Sequence, residues 1–212
     1  FFLKMIGRGQ PIGEDDLQSM AADIGKNVQR AAAIIQHMRD FARQSIAVRN
    51  KIDIKDPIRD VFKVLGHQQR VHQVELILEL DPNIPPIMAD HNRLEQVFIN
   101  LVTNAVDAMD EKIARPEYGN SEKLLKIKSF AENGVVSVTV SDSGIGMSNK
   151  VIGKLFEPFF TTKDVGKGTG LGVSISYGIV KDYDGTIDIE SKIGEGTTFK
   201  LKFPAVRLTE EK

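Results

Sequence analysis

Hydrophobic residues follow two different rhythms along the chain. Between residues 14 and 45, Leu17, Ala21, Ile24, Val28, Ala31, Ile35, Met38 and Ala42 recur at alternating steps of four and three. That spacing is the seam of a coiled coil or helical bundle. Asp15 and Asp16 stand at the start of the stretch and Arg39 and Arg43 at its end, matching the helix dipole. A lone helix cannot bury such a long, narrow seam, so partner helices and a dimeric bundle are expected. Gly7, Gly9, Pro11 and Gly13 mark a turn before it, which makes Phe1 to Ile6 the stump of an earlier helix.

After residue 50 the elements become short and mixed. Lys51 to Lys55 alternates like a strand. Asp56-Pro57 fits an N-cap followed by proline at the first helical position, with a helix on to about Gln69. Val74 to Leu80 alternates again, and Asp81 to Pro86 reads as a loop. A helix is expected from about Asn92 to Lys112, with Leu94, Val97, Phe98, Leu101, Val102, Ala105 and Ala108 on its apolar face. Lys123 to Phe130 and Val135 to Ser141 form a predicted hairpin about Asn133-Gly134. A glycine-rich tract precedes a helix over Leu171 to Asp182, and strands at Thr186 to Ser191 and Thr197 to Phe203 close the chain. The expected fold is α+β: a two-layer sandwich of one mixed sheet and three main helices, preceded by the long bundle helix. The expected domains are 1-48, 49-206 and a tail at 207-212.

Composition narrows the function classes. The 212 residues carry a formal net charge of -1, so no global field draws the chain to nucleic acid or membrane lipid. There is no cysteine, which excludes disulfides and thiolate metal sites. No apolar run approaches the roughly 20 residues of a membrane helix. The chain starts without methionine inside an apolar stretch and is read as a fragment. Any membrane contact of the parent would come from missing upstream segments.

Four local features carry candidate chemistry. Asn100 and Asn104 are four apart on one helix, so they share a face and can offer amide oxygens to a hydrated magnesium ion. Taken alone, solvated or capping asparagines explain most such pairs. Asp142 ends a strand and is followed by Gly144 and Gly146; a carboxylate there can accept a hydrogen bond from an exocyclic amine such as that of adenine. Phe156 to Lys163 sets aromatic rings about a proline, with Thr161, Thr162 and Lys163 following. It reads either as core plus loop or as the anchor of a mobile lid with Lys163 reaching a phosphate. Gly166, Gly168, Gly170 and Gly172 lead into a helix, where backbone amides turn toward an anion and Lys167 adds a point charge.

In this order and spacing, the four features resemble the histidine-kinase branch of the family that also holds gyrase, Hsp90 and the MutL-type repair ATPases. Asn100 to Ala105 is similar to its asparagine box. Asp142 to Gly146 and Gly166 to Gly172 resemble its two glycine boxes, and Phe156 to Phe160 its phenylalanine box. Gly194 to Phe199 resembles its closing strand motif. The resemblance implies ATP and Mg2+ as cofactors. It implies Asn104 as the magnesium ligand, Asn100 beside it at the phosphates, and Thr197 as a support for Asp142. Asn100, Asn104 and Lys163 are then the expected catalytic positions. Nucleotide contacts are expected from Asn100, Asn104, Asp107, Asp142, Gly144, Gly146, Phe159, Thr162, Lys163, Lys167, Gly168, Thr169, Gly170, Leu171, Gly172 and Thr197. Asp107 stands where many histidine kinases carry a cation, and Asn-Ala-Val-Asp-Ala-Met resembles the nitrogen-regulator class.

Two further expectations follow from the resemblance. The gyrase-like ATPases place a water-activating glutamate where this chain has Asn100. An amide takes no proton at neutral pH, which argues against fast hydrolysis and for transfer to another nucleophile. His37, His67, His72 and His91 lack the context of the family's phosphoacceptor: His37 is read as a solvated helix residue, His91 as a capping-region residue, and His67 and His72 as unremarkable. The acceptor histidine is therefore expected upstream of Phe1, and residues 1-48 as part of a dimerisation and phosphotransfer hairpin. A homodimer through helix 14-45, a response-regulator receiver domain as partner and a cytoplasmic location complete the reading, the parent being anchored, if at all, to the inner membrane. The alternatives are a hydrolytic ATPase of the same fold and a degenerate nucleotide-binding scaffold.

Overall fold

The computed structural model describes residues 13–22, 24–25, 28, 49–119, 121–163 and 168–206. They divide into two units, Phe1–Ser45 with Thr161–Thr169, and Ile46–Phe160 with Gly170–Lys212. In the first unit, residues 14–22, 24–25 and 28 are helical. Leu17, Ile24 and Val28, three seam positions, are 46%, 55% and 62% exposed. The rest of the expected seam, from Ala31 to Ala42, and His37 lie outside the described residues, as do 207–212.

The second unit runs β1 (Asn50–Ile52), α1 (Lys55–Val71), β2 (Glu75–Leu80), β3 (Ile87–Ala89), α2 (His91–Ile113), β4 (Leu124–Glu132), β5 (Val135–Asp142), α3 (Asn149–Ile152), α4 (Gly172–Asp182), β6 (Thr186–Lys192) and β7 (Gly196–Pro204), with a short 3-10 turn at Pro116–Tyr118 after α2. Five strands form one mixed sheet in the order β2-β4-β5-β7-β6. Only β2 and β4 run parallel; the remaining neighbours are antiparallel. Alternation along the strands decides which face is dry. Leu125 and Ile127 on β4, Val136, Val138 and Val140 on β5, and Phe199, Leu201 and Phe203 on β7 all point into the core. Against them pack Ile58 and Val61 of α1, Leu94, Val97, Phe98, Leu101, Val102, Ala105 and Met109 of α2, and Ile179 and Val180 of α4. Each large side chain removed from water here contributes roughly 1.5–3 kcal/mol. The opposite face is solvated and carries ion pairs such as Glu79 with Lys126 and Lys128.

Two details differ from the expected elements. The helix α1 begins at Lys55 rather than after Asp56, because the Asp53 carboxylate accepts from the Lys55 N–H at 2.9 Å and supplies the cap. The segment after the Asp81–Pro86 loop is a strand, β3, paired antiparallel with β1 in a separate two-stranded sheet. Three residues give too short a run for periodicity to register. The hairpin turn is as expected: Asn133 and Gly134 both have positive φ, 51° and 77°, the geometry of a type I′ turn.

Candidate nucleotide site

The site is organised along one stripe of α2. The helix starts where Asp90 accepts from the Arg93 N–H at 3.0 Å, a side-chain cap that fixes the helical register. With that register set, Asn100, Asn104 and Ala108 follow one another at steps of four. Asn100 and Ala108 are eight residues apart, about 12 Å along the axis, the scale of a nucleoside triphosphate.

At the Ala108 end stands the turn after β5. The Ile145 N–H donates to the Ala108 carbonyl at 3.0 Å, so this turn lies directly on the helix. Gly144 is required by that approach: a Cβ there would come within 2.7 Å of the Ala108 Cβ and of Asp142 Oδ1. Gly146 has φ +69°, and a Cβ on it would meet the Lys192 carbonyl oxygen at 2.0 Å. Asp142 accepts from the Gly144 N–H at 2.8 Å. Burial pushes its pKa from 3.8 up to about 6, although the N–H groups of Gly144 and Thr197 and the nearby Lys112 cation all favour its ionised form. A half-buried carboxylate held at a strand end and set against apolar surface is a selective acceptor for an amine donor. Thr197 faces Asp142 across the β5–β7 ladder. Its hydroxyl meets the Ser191 hydroxyl at 2.9 Å, and Ser191 in turn accepts from the Met147 N–H at 2.8 Å. The closing strands are thereby tied to the glycine turn.

At the other end of the stripe is the start of α4. Asn100 donates from Nδ2 to the Gly172 carbonyl at 3.1 Å and to Ser176 Oγ at 3.3 Å. Leu171, the residue before the helix, is buried, and its carbonyl accepts from the Ile175 N–H and the Ser174 hydroxyl, both at 2.9 Å. Among the described residues no side chain caps this helix start, and the first N–H groups of a helix are suited to an anion. Gly170 has φ +67° and lies on the Phe159 backbone, where a Cβ would stand 2.4 Å from the Phe159 carbonyl carbon. Phe159 itself has φ 67° and is 58% exposed. The Phe156 ring packs against Tyr177 of α4 with centroids 4.7 Å apart.

The predicted residues thus separate into three groups. Asn100, Asn104, Asp107, Asp142, Gly144, Gly146, Phe159, Gly170, Leu171, Gly172 and Thr197 belong to the sheet-and-helix unit; Asn104 is half-buried on α2 and Asp107 exposed. Thr162, Lys163, Gly168 and Thr169 belong to the other unit, where the Lys163 N–H donates to Thr161 Oγ1 at 3.2 Å. Lys167 and Gly166 lie outside the described residues.

Several partners of these residues were not singled out in the sequence. Ser176 and Ser191 carry no signal that a lone serine could give. His72, expected to be unremarkable, has its Nδ1 2.6 Å from Asp110, and His91, at the helix start as expected, has its Nε2 3.0 Å from Asp60. Lys112 was visible, for it continues the four-residue stripe of Asn100, Asn104 and Ala108 by one more step.

A mixed sheet under three helices, with amides along the central helix and a glycine turn at either end of their stripe, defines a nucleotide-binding domain of the ATP-dependent kinase and ATPase type. Residues 89–207 match the family described as histidine kinase-, DNA gyrase B-, and HSP90-like ATPase. The chain is 37% identical over 196 residues to sensor kinase CckA of Brucella abortus strain 2308, covering 90% of this chain and 20% of that protein. It is 33% identical to sporulation kinase E of Bacillus subtilis strain 168, covering 89% of this chain and 24% of that one. Among solved structures, the nucleotide-free catalytic domain of histidine kinase ThkA superposes with a TM-score of 0.62 at 30% identity, over 74% of this chain and 95% of that one. ThkA in complex with the response regulator protein TrrA shares the fold with a TM-score of 0.70 at 24% identity, over 97% of this chain and 56% of ThkA. The chain belongs to the histidine kinase-, DNA gyrase B-, and HSP90-like ATPase family, and within it carries the ATP-binding catalytic domain of a sensor histidine kinase. It spans about a fifth to a quarter of the length of these two curated relatives. None of the described helices is long and apolar enough to cross a membrane.

Proposed function

We propose that the domain binds ATP with Mg2+ along the α2 stripe and passes the γ-phosphoryl group to a histidine outside this chain. The observation that carries this reading is the pairing on one helix of a base-reading carboxylate at Ala108 and an uncapped helix start at Asn100. Adenine stacks on the Gly144–Gly146 turn with its amine on Asp142, and the triphosphate runs past Asn104 toward Gly172. Asn104 offers one amide oxygen. That donor suits a hard, hydrated ion whose other ligands are waters and phosphate oxygens. The metal neutralises charge on the phosphates. Asn100 orients the α4 N-terminus, whose N–H groups face the anion. The resemblance of the sequence motifs supports Thr162, Lys163, Lys167, Gly168 and Thr169 as lid and phosphate-contact residues.

In the transfer, the histidine nitrogen forms a bond to the γ-phosphorus as the bond to the β-γ bridging oxygen breaks and ADP leaves. No described residue in the Asn100 position can activate water, which favours transfer over hydrolysis. In the proposed organisation, 1-48 is part of the dimerisation and phosphotransfer hairpin and 49-206 the catalytic domain. The exposed seam residues Leu17, Ile24 and Val28 support a homodimer through helix 14-45. The complex of ThkA with TrrA supports a receiver domain as the next phosphoryl acceptor, on an aspartate. A cytoplasmic location accords with that partner.

Calorimetric titration with ATP, with and without Mg2+, tests the reading. Magnesium-dependent binding, lost in Asn104→Leu, is expected. Absence of ATP binding under both conditions overturns it.

A further inference from the structure

Lys112 is a charged side chain in the last turn of α2, yet only 8% of its surface is exposed. It lies 5.6 Å from the centre of the Tyr118 ring, and its ammonium donates to the Ser143 carbonyl at 2.8 Å. That carbonyl belongs to the same peptide group as the Gly144 N–H, which donates to Asp142 Oδ1 at 2.8 Å. Cation, peptide and carboxylate form one chain: ammonium to carbonyl oxygen, then amide N–H to carboxylate. A cation on the carbonyl side polarises the peptide and strengthens its N–H as a donor. The peptide is also fixed sideways. The Ser143 N–H donates to the Leu124 carbonyl at 3.0 Å, and its hydroxyl donates to the Glu122 carbonyl at 2.8 Å. The relay therefore has little room to relax.

We propose that Lys112 is a specificity-determining positioning residue, which acts through the Ser143–Gly144 peptide to keep Asp142 an ionised acceptor and so selects a 6-amino purine over a 6-oxo purine. An ionised carboxylate accepts from an exocyclic amine but faces only lone pairs on a 6-oxo group. A protonated one can donate to that oxygen, and discrimination falls. The groups that act on Asp142 are the Gly144 N–H on its own turn, the Thr197 N–H from β7 and the Lys112 cation from α2. All three favour ionisation, and burial opposes them. With the carboxyl near 6, the balance stands close to neutral pH, where loss of the cation shifts it toward the protonated form. The inference rests on Asp142 as the base acceptor.

The test measures the ratio of ATP to inosine triphosphate affinity from pH 5 to 8. Taking the ratio cancels the titration of the triphosphate itself. The intact protein is expected to prefer ATP at pH 8 and to lose that preference as pH falls through about 6. Lys112→Met is expected to move this midpoint up by about one pH unit, and Lys112→Arg to restore it. A Lys112→Met variant with an unmoved midpoint and only a lower melting temperature overturns the proposal. Asp142→Asn separates it from the reading beneath: unchanged ATP binding in that variant defeats the acceptor role itself. Reduced ATP binding there, with an unmoved Lys112→Met midpoint, defeats only the relay. Should Lys112→Met not fold, carbon and nitrogen NMR of the intact protein decides. The Gly144 amide and Lys112 side-chain resonances are expected to follow the ionisation of the Asp142 carboxyl with its midpoint, and a Lys112 resonance that does not respond overturns the proposal.

Discussion

The side-chain amide of Asn100, in the middle of α2, donates to the carbonyl of Gly172, the first residue of α4, at 3.1 Å. It thereby joins the helix that bears the proposed magnesium ligand to the helix whose start is the proposed phosphate site. Asn100→Leu removes the donor while keeping most of the volume. It is expected to destabilise the domain by roughly 1–2 kcal/mol, since the Gly172 carbonyl keeps its bond from Ser176 at 2.9 Å. ATP affinity is expected to fall about tenfold or more, the equivalent of 1.4 kcal/mol. Thermal melts and calorimetric titration check the two effects separately. Asn100→Asp is expected to be worse in both, because a carboxylate then faces a carbonyl oxygen.

Asp142 sets binding against stability. Its folded pKa is raised, so its ionisation opposes folding: the favourable contribution is complete below the unfolded value of 3.8 and is lost as pH rises through about 6. At neutral pH the difference is roughly 3 kcal/mol. Asp142→Asn keeps an acceptor for the Gly144 N–H and removes the charge. It is expected to stabilise the nucleotide-free domain at pH 7 by on the order of 1 kcal/mol while reducing ATP affinity. Chemical denaturation of both proteins at pH 4 and pH 7 measures this, with the gain expected at pH 7 and absent at pH 4.

The glycines about the start of α4 are not equivalent. A Cβ on Gly170 meets the Phe159 backbone at 2.4 Å in a φ +67° conformation, whereas a Cβ on Gly172 finds its nearest neighbours, on Asn100, at 3.6 Å. Gly170→Ala is expected to cost at least about 2 kcal/mol through backbone clash and strain. Gly172→Ala is expected to be neutral or to stabilise by roughly 0.5–1 kcal/mol, as alanine does in a helix. Denaturation midpoints of the pair decide it.

At the far end of α4, the Arg93 guanidinium pairs with Asp182 at 2.6 Å and lies 5.6 Å over the Tyr183 ring. Arg49 adds a second cation there, donating to Asp184 and to the Asp182 carbonyl, both at 2.5 Å. Arg93 and Asp182 are each about three-quarters enclosed, with 27% and 29% of their side chains exposed. Arg93→Met is therefore expected to cost roughly 1–2 kcal/mol, more than an exposed pair. Hydrogen exchange is expected to quicken in the last turn of α4 and in no other helix.

The sequence by itself determined most of the element types and the α+β class, and it carried the order and spacing of the proposed nucleotide motifs. Each rests on short-range physics: period 3.6 in α2, period 2 in β4, β5 and β7, and positive φ at Asn133-Gly134. It also carried the four-residue stripe of Asn100, Asn104, Ala108 and Lys112, although the last was not recognised as part of it. Only the tertiary structure decided that β1 and β3 pair, with Asn50 opposite Ala89 and Ile52 opposite Ile87, or that a serine of α4 serves Asn100. It alone decided that one peptide at Ser143 connects a buried ammonium to a carboxylate. Local propensity writes itself into a chain as periodicity. Partners brought together across a sheet or between helices leave no such trace, because their distance in space is set by how the whole core packs.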